Sequence, residues 1–152
     1  MTNPSLQQTS IESLSAPAPI PNRGNEDAWL ALEFNQPPGT IIAAVIDGAG
    51  ARLALPPLQT ALAQHHQGIS AAAFASQTTQ SSLLKQLVDQ PNLALDVALL
   101  KANETLREKI IGIIGGFSAE HILSLAGEPT TSDPRRVRMA LPACVVTLMR
   151  LN

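Results

Sequence analysis

The stretch Ile41-Ile42-Ala43-Ala44-Val45-Ile46 leaves this chain few ways to fold. Every position is apolar, most are β-branched, and the run stops abruptly at Asp47-Gly48-Ala49-Gly50. A run that is apolar at odd and even positions alike has no side meant for water. It predicts a central strand over residues 40–46, buried on both faces. The rest of the chain must then supply neighbours for its edges and cover for its faces.

One neighbour stands just upstream. Residues 27–34 carry Trp29, Leu30, Ala31, Leu32 and Phe34 and read as a strand. Asn35-Gln36-Pro37-Pro38-Gly39 joins the two as a hairpin loop. Residues 137–151 read as a third strand, or two split at Pro142, with Ala143-Cys144-Val145-Val146-Thr147-Leu148-Met149 at its centre.

Helices fill the middle. Pro56-Pro57 breaks any helix begun at Ala51, so a first short helix spans residues 58–66. Gly68 ends it, and Ser70 caps a second over residues 71–88, whose middle is polar and weakly periodic. The third, residues 93–114 with Asn92 as its cap, is the clearest. Leu95, Leu99, Ala102, Leu106, Ile110 and Ile113 make one apolar stripe, and Gly115-Gly116 ends it. A short helix follows at residues 119–125, then a polar loop through Gly127, Pro129, Asp133 and Pro134.

Before all this lies a different kind of segment. Residues 1–10 are polar and loose, residues 11–15 form a short edge strand, and Ala16-Pro17-Ala18-Pro19-Ile20-Pro21 is an extended connector. The chain therefore divides into a flexible segment, 1–21, and a folded part, 22–152.

Composition excludes several functions. The 152 residues are 45% apolar and 14% charged, which is a globular balance, and the net charge is −2. Basic residues cluster only at Arg135, Arg136 and Arg138. The aromatics are Trp29, Phe34, Phe74 and Phe117 alone, so neither a phosphate-tracking surface nor a base-stacking platform is expected. Cys144 is the single cysteine, which forbids an internal disulfide. No leader pattern opens the chain and no apolar run reaches membrane length, so a cytoplasmic protein with no membrane or nucleic-acid partner is expected.

The chemistry centres on two acids. Asp47 closes a buried strand, and Gly48 and Gly50 permit backbone paths a side chain would block. Asp27 opens the preceding strand. In an antiparallel hairpin the start of one strand lies beside the end of the other, so Asp27 and Asp47 meet at one edge. Two carboxylates beside a free carbonyl suit Mg²⁺ or Mn²⁺ and, with them, phosphate-ester hydrolysis. On residue types alone, two turn acids are the favoured account.

Asn25-Glu26-Asp27-Ala28 followed by Val45-Ile46-Asp47-Gly48-Ala49-Gly50 resembles the metal-dependent, type 2C serine/threonine protein phosphatases. That family uses a Glu-Asp pair and an Asp-Gly-x-Gly motif at a two-metal centre. Leu99-Leu100-Lys101-Ala102-Asn103-Glu104-Thr105-Leu106 is similar to its second long helix, and Pro142-Ala143-Cys144-Val145-Val146-Thr147-Leu148 to a later strand. The four stand in the family's order across residues 25–151.

The resemblance implies an α+β fold, an antiparallel β-sandwich flanked by long helices, incomplete in this chain. It implies that Asp27 and Asp47 are catalytic metal ligands with the Gly48 carbonyl, that Glu26 reaches the metal shell through water, and that Arg23 binds substrate phosphate. Arg23 stands one residue nearer the acids than the family's arginine, and Ala51 replaces a glycine. The family's domain is longer, and its later Asp-Gly and Asp-Asn motifs supply further ligands and half of the sandwich. The residues thus resemble the N-terminal portion of that domain. A phosphoprotein is the expected substrate of the full domain. This chain alone is expected to be inactive, with core surface uncovered for a partner chain or further sequence to complete. The alternative is a non-catalytic phosphatase-like module that binds a protein or phosphopeptide.

Other residues have plainer readings. His65-His66 face different ways on a helix, and His121 is isolated. Cys144 lies in an apolar strand as a small hydrophobe. Arg135, Arg136 and Arg138 form a solvated loop entering a strand. No Gly-x-Ser-x-Gly elbow exists, and no third glycine follows Gly50 at nucleotide-binding spacing.

Overall fold

The structure, a computed structural model, describes residues 26–35, 38–129 and 133–151. The expected edge strand at residues 11–15, the proline connector and Arg23 lie outside them. The order of elements is β1 (Ala28–Asn35), β2 (Pro38–Ala49), α1 (Pro56–His65), α2 (Ala71–Asp89), α3 (Leu95–Ile114), α4 (Ala119–Leu125), α5 (Pro134–Ala140) and β3 (Ala143–Leu151). Among the described residues this is an α+β fold with one antiparallel sheet of order β1-β2-β3.

β1 and β2 form the expected hairpin, with Ala28 opposite Ile46 and Phe34 opposite Thr40, and a bulge at Phe34/Asn35. β2 is central, and β3 lies along its other edge, with Ile41 opposite Leu151 and Ala49 opposite Ala143. Alternation then sorts side chains by face. Leu30, Leu32, Phe34, Ile42, Ala44 and Ile46 are buried beneath the helices, with Cys144, Val146 and Leu148 half-buried beside them. The opposite face carries Trp29, Val45, Val145, Met149 and Leu151, all exposed, Val45 at 62% and Val145 at 64%. β2 is therefore buried on one face only. Its apolar second face has no cover among the described residues.

α2 crosses all three strands. Its first turns are Ala71-Ala72-Ala73-Phe74-Ala75, and short side chains let its backbone approach the sheet closely. Leu83 and Leu87 drive its second half into the sheet core, where Ala98 and Ala102 of α3 join them. A second apolar cluster forms where Leu58 and Leu62 of α1, Phe74 of α2, Leu106, Ile110 and Ile114 of α3, and Ile122 of α4 meet. α3 buries Ala98, Ala102, Leu106, Ile110 and Ile114. Ala102, Leu106 and Ile110 were on the expected stripe. Leu95, Leu99 and Ile113 lie at its margin, because the helix turns its face gradually from the sheet to α1 and α4.

Several boundaries differ from the sequence reading. β2 runs from Pro38 to Ala49 rather than over residues 40–46, so Asp47 lies inside the strand instead of closing it. Pro56-Pro57 opens α1 instead of preceding it, since the first helical positions need no N–H. α3 begins two residues later than expected, with Ala94 rather than Asn92 at its cap. Residues 134–140 form helix α5 instead of the start of a strand. Pro134 occupies its first turn, and the Asp133 side chain accepts from the Arg135 N–H at 2.9 Å.

Candidate metal centre

The hairpin register decides where the two acids stand. Ala28 pairs with Ile46 and Trp29 with Val45, and the ladder ends there, with Asp27 one residue before β1 and Asp47 one residue past Ile46. Both acids are exposed, and Asp47 lies on the open side of the sheet in line with Val45. Asp47 is still within β2, where it pairs with Val145 of β3. Asp27 precedes β1 by one residue.

Glu26 is placed differently. It is half-buried, and its carbonyl accepts the Ser76 hydroxyl of α2 at 2.6 Å. One residue beyond Asp27's other neighbour, the Trp29 carbonyl accepts the Gln80 amide from the same helix. α2 therefore clips down the entrance of β1, on either side of Asp27. Ser76 and Gln80 had no part in the sequence reading. The signal available was the polar run Ser76-Gln77-Thr78-Thr79-Gln80, of which Ser76, Thr78 and Thr79 are buried.

Gly48 sits at the crossing of these elements. A Cβ built there would lie 2.4 Å from the Glu26 carbonyl oxygen and 2.7 Å from the Ala72 carbonyl oxygen. The residue after Asp47 must therefore be glycine for packing, whatever its carbonyl does. Gly50 meets nothing nearer than the Ala72 Cβ at 3.9 Å.

Beneath this end of the sheet lies a cleft of about 380 Å³. Glu26 and Gly50 form one wall, Leu58 and Leu62 of α1 another, and Ser70 and Ala72 at the start of α2 a third. Among the described residues, no group of three or more His, Cys, Asp or Glu side chains is gathered to hold a metal ion. Asp27, Asp47 and Glu26 are not gathered into such a group.

The remaining candidates have structural partners. The His121 ring shares a 2.6 Å hydrogen bond with the Ile114 carbonyl at the end of α3. The His66 ring meets the Phe74 ring edge-on, with centroids 5.2 Å apart. Arg136, on α5 rather than in a loop, pairs with Glu128. Cys144 lies 3.2 Å from the Thr79 hydroxyl. Burial pushes its thiol up, and that hydrogen bond only partly opposes the shift. A thiol held protonated is a poor nucleophile. Compared with protein-family profiles, with curated proteins and with solved structures, the chain has no match.

Proposed function

We propose that this chain carries the first acids of a metal-dependent serine/threonine protein phosphatase of the type 2C kind. One observation supports the reading: Asp27 and Asp47, both solvent-accessible, each stand one residue beyond the Ala28–Ile46 pair that ends the β1–β2 ladder. Two carboxylates brought near each other at a sheet end repel. A divalent cation between them reverses the sign of that interaction. The two carboxylates and the Gly48 carbonyl form an all-oxygen set suited to Mg²⁺ or Mn²⁺, with further ligands from outside this set. Such cations, when bound, lower the pKa of water and neutralise charge on a phosphoryl group.

The chain's own residues then do three things. Asp27 and Asp47 fix the cation position at the sheet end. Ser76, Gln80 and the packed Gly48 hold the entrance of β1 against α2 and the end of β2, and so fix where both acids emerge. Arg23 would take the phosphate of a cytoplasmic phosphoprotein. The finer architecture in this reading is a β-sandwich, with a second sheet lying over Trp29, Val45, Val145 and Met149. That these side chains are apolar and bare supports it. The same bare face favours a second reading, a module of this fold that binds a protein partner without catalysis.

The test is a Mn²⁺ titration by calorimetry and thermal melting of wild type, Asp27→Asn and Asp47→Asn, with Glu33→Gln as control. Mn²⁺ should raise the Tm of wild type and control and not that of either Asn variant. Phosphothreonine-peptide hydrolysis by the complete protein should be lost in both Asn variants. Unchanged Mn²⁺ affinity and activity in Asp47→Asn would falsify the proposal. Retained Mn²⁺ binding without hydrolysis would select the second reading.

A further inference from the structure

We infer that Arg52, Arg135 and Arg138 form one docking surface for a phosphorylated side chain of a partner protein. The surface is separate from the two acids, needs no cation and does not rest on the metal reading.

The fold gathers these residues from two segments. α5 carries Arg135 and Arg138 three positions apart, so they share one face of the helix, with Cβ atoms about 5–6 Å from each other. The Leu53 N–H donates to the Met139 carbonyl at 2.9 Å, and this bond sets Arg52 beside the last turn of α5. All three arginines are exposed. Leu141 and Pro142 then lead into β3, whose first residue, Ala143, pairs with Ala49 at the end of β2.

The charge at this corner is not neutralised from within. Glu128 is taken by Arg136, and the Asp133 carboxylate accepts the Arg135 N–H at the start of α5. Among the described residues, Glu120 of α4 pairs with none of the three arginines, and none of the three has a carboxylate partner. The remaining residues cannot supply one for each, because Glu12 is the single acidic side chain they hold. Positive charge is thus concentrated at one corner of a chain whose net charge is −2. Like charges one helical turn apart cost stability, so the fold itself gains nothing from bringing them together.

Spacing and charge select the ligand. One carboxylate neutralises one guanidinium. A phosphoryl group on a side chain carries nearly two charges and three acceptor oxygens, and so satisfies two guanidiniums at once. Arginine presents a planar fork that matches those oxygens in pairs, which an ammonium group does not. Arg135 and Arg138 set two such forks one helical turn apart, within reach of a single phosphoryl group, with Arg52 beside them.

Fluorescence anisotropy of a short labelled glycine–serine peptide carrying one phosphoserine tests this, on the full chain in EDTA. Wild type should bind it saturably, and the unphosphorylated peptide at least about tenfold more weakly. Arg135→Gln with Arg138→Gln should lose at least about tenfold in affinity, and Arg52→Gln about threefold. Arg135→Lys with Arg138→Lys keeps the charge but not the forks and should still lose several-fold. Lys101→Gln removes a charge from α3 and should bind as wild type does. In wild type the phosphopeptide should slow hydrogen exchange at residues 134–140, which needs no variant to fold. No saturable binding below millimolar concentration would overturn the inference. So would equal binding of the unphosphorylated peptide, undiminished binding by the double Gln variant, or an equal loss in Lys101→Gln. Inorganic phosphate bound as tightly as the peptide would mean a site for the free ion, and preference for phosphatidylserine vesicles a membrane surface, and either result overturns it too. Because EDTA removes divalent cations, this inference and the metal reading fail separately.

Discussion

At position 48 a single methyl group would meet backbone atoms on two sides, the Glu26 and Ala72 carbonyls. Neither belongs to a side chain that can swing away. Gly48→Ala should therefore cost about 1–3 kcal/mol by overpacking. Gly50→Ala, with its nearest neighbour at 3.9 Å, should stay within about 0.5 kcal/mol. Urea midpoints of the two variants check both numbers. The sequence made Gly48 conspicuous, but for its carbonyl. The approach of α2 that demands it involves Ala72, which nothing local announces. Cys144 gives a second residue-scale test. Burial, opposed in part by Thr79, raises its folded pKa, so the native state keeps the proton longer than the unfolded chain. Its contribution is complete below the unfolded thiol value of about 8.5 and is lost as pH rises from there through the folded value. Thermal melts across the alkaline range should show a steeper decline for wild type than for Cys144→Ala.

Among the elements, α2 shows what local pattern reveals and hides. Its start was legible: Ser70 before an alanine run is a cap, and its hydroxyl accepts the Ala73 N–H at 3.0 Å. Ser70→Ala should cost about 1 kcal/mol, read from chemical denaturation. Its middle was illegible, because burial there falls on Ser76, Thr78 and Thr79. Ser76 satisfies its hydroxyl on Glu26, fifty residues away, and Thr79 on Cys144, sixty-five away. A hydropathy pattern cannot register a polar side chain whose partner is distant. α5 is the opposite case. Asp133-Pro134 is a good helix start, but the apolar strand behind it and three arginines suggested a loop. α3 was found from its stripe and its Gly115 end, where φ is +79°. Its start was misjudged because Asn92 is a good cap residue that lies in a turn instead.

For the whole molecule, the sheet was legible as a hairpin with a central β2 and a late third strand. Apolarity on both faces of β2 implied cover on both, yet cover follows from what the rest of the chain can reach. The helices of the described residues lie on one side. The consequence is measurable. Trp29, 41% exposed on the bare face, should emit near the wavelength of hydrated indole and be quenched readily by acrylamide. The native protein should also bind an apolar dye such as ANS, and Val45→Lys with Val145→Lys should abolish that binding without lowering helix content. Full native dye exclusion would mean that the face is covered in solution.

The crossing from β2 to β3 also has a meaning in time. Ala49 pairs with Ala143, yet roughly 90 residues must leave the ribosome between them, some 5–20 s of synthesis at ordinary rates. The β1–β2 hairpin can close at once, being local, while the inner edge of β2 waits. Throughout that interval it is the most adhesive strand in the growing protein, and α2, made halfway through, is what can shield one of its faces. The nascent chain should therefore be most prone to misassociation before its last nine strand residues emerge, and a chaperone that holds extended apolar segments would act on residues 41–46.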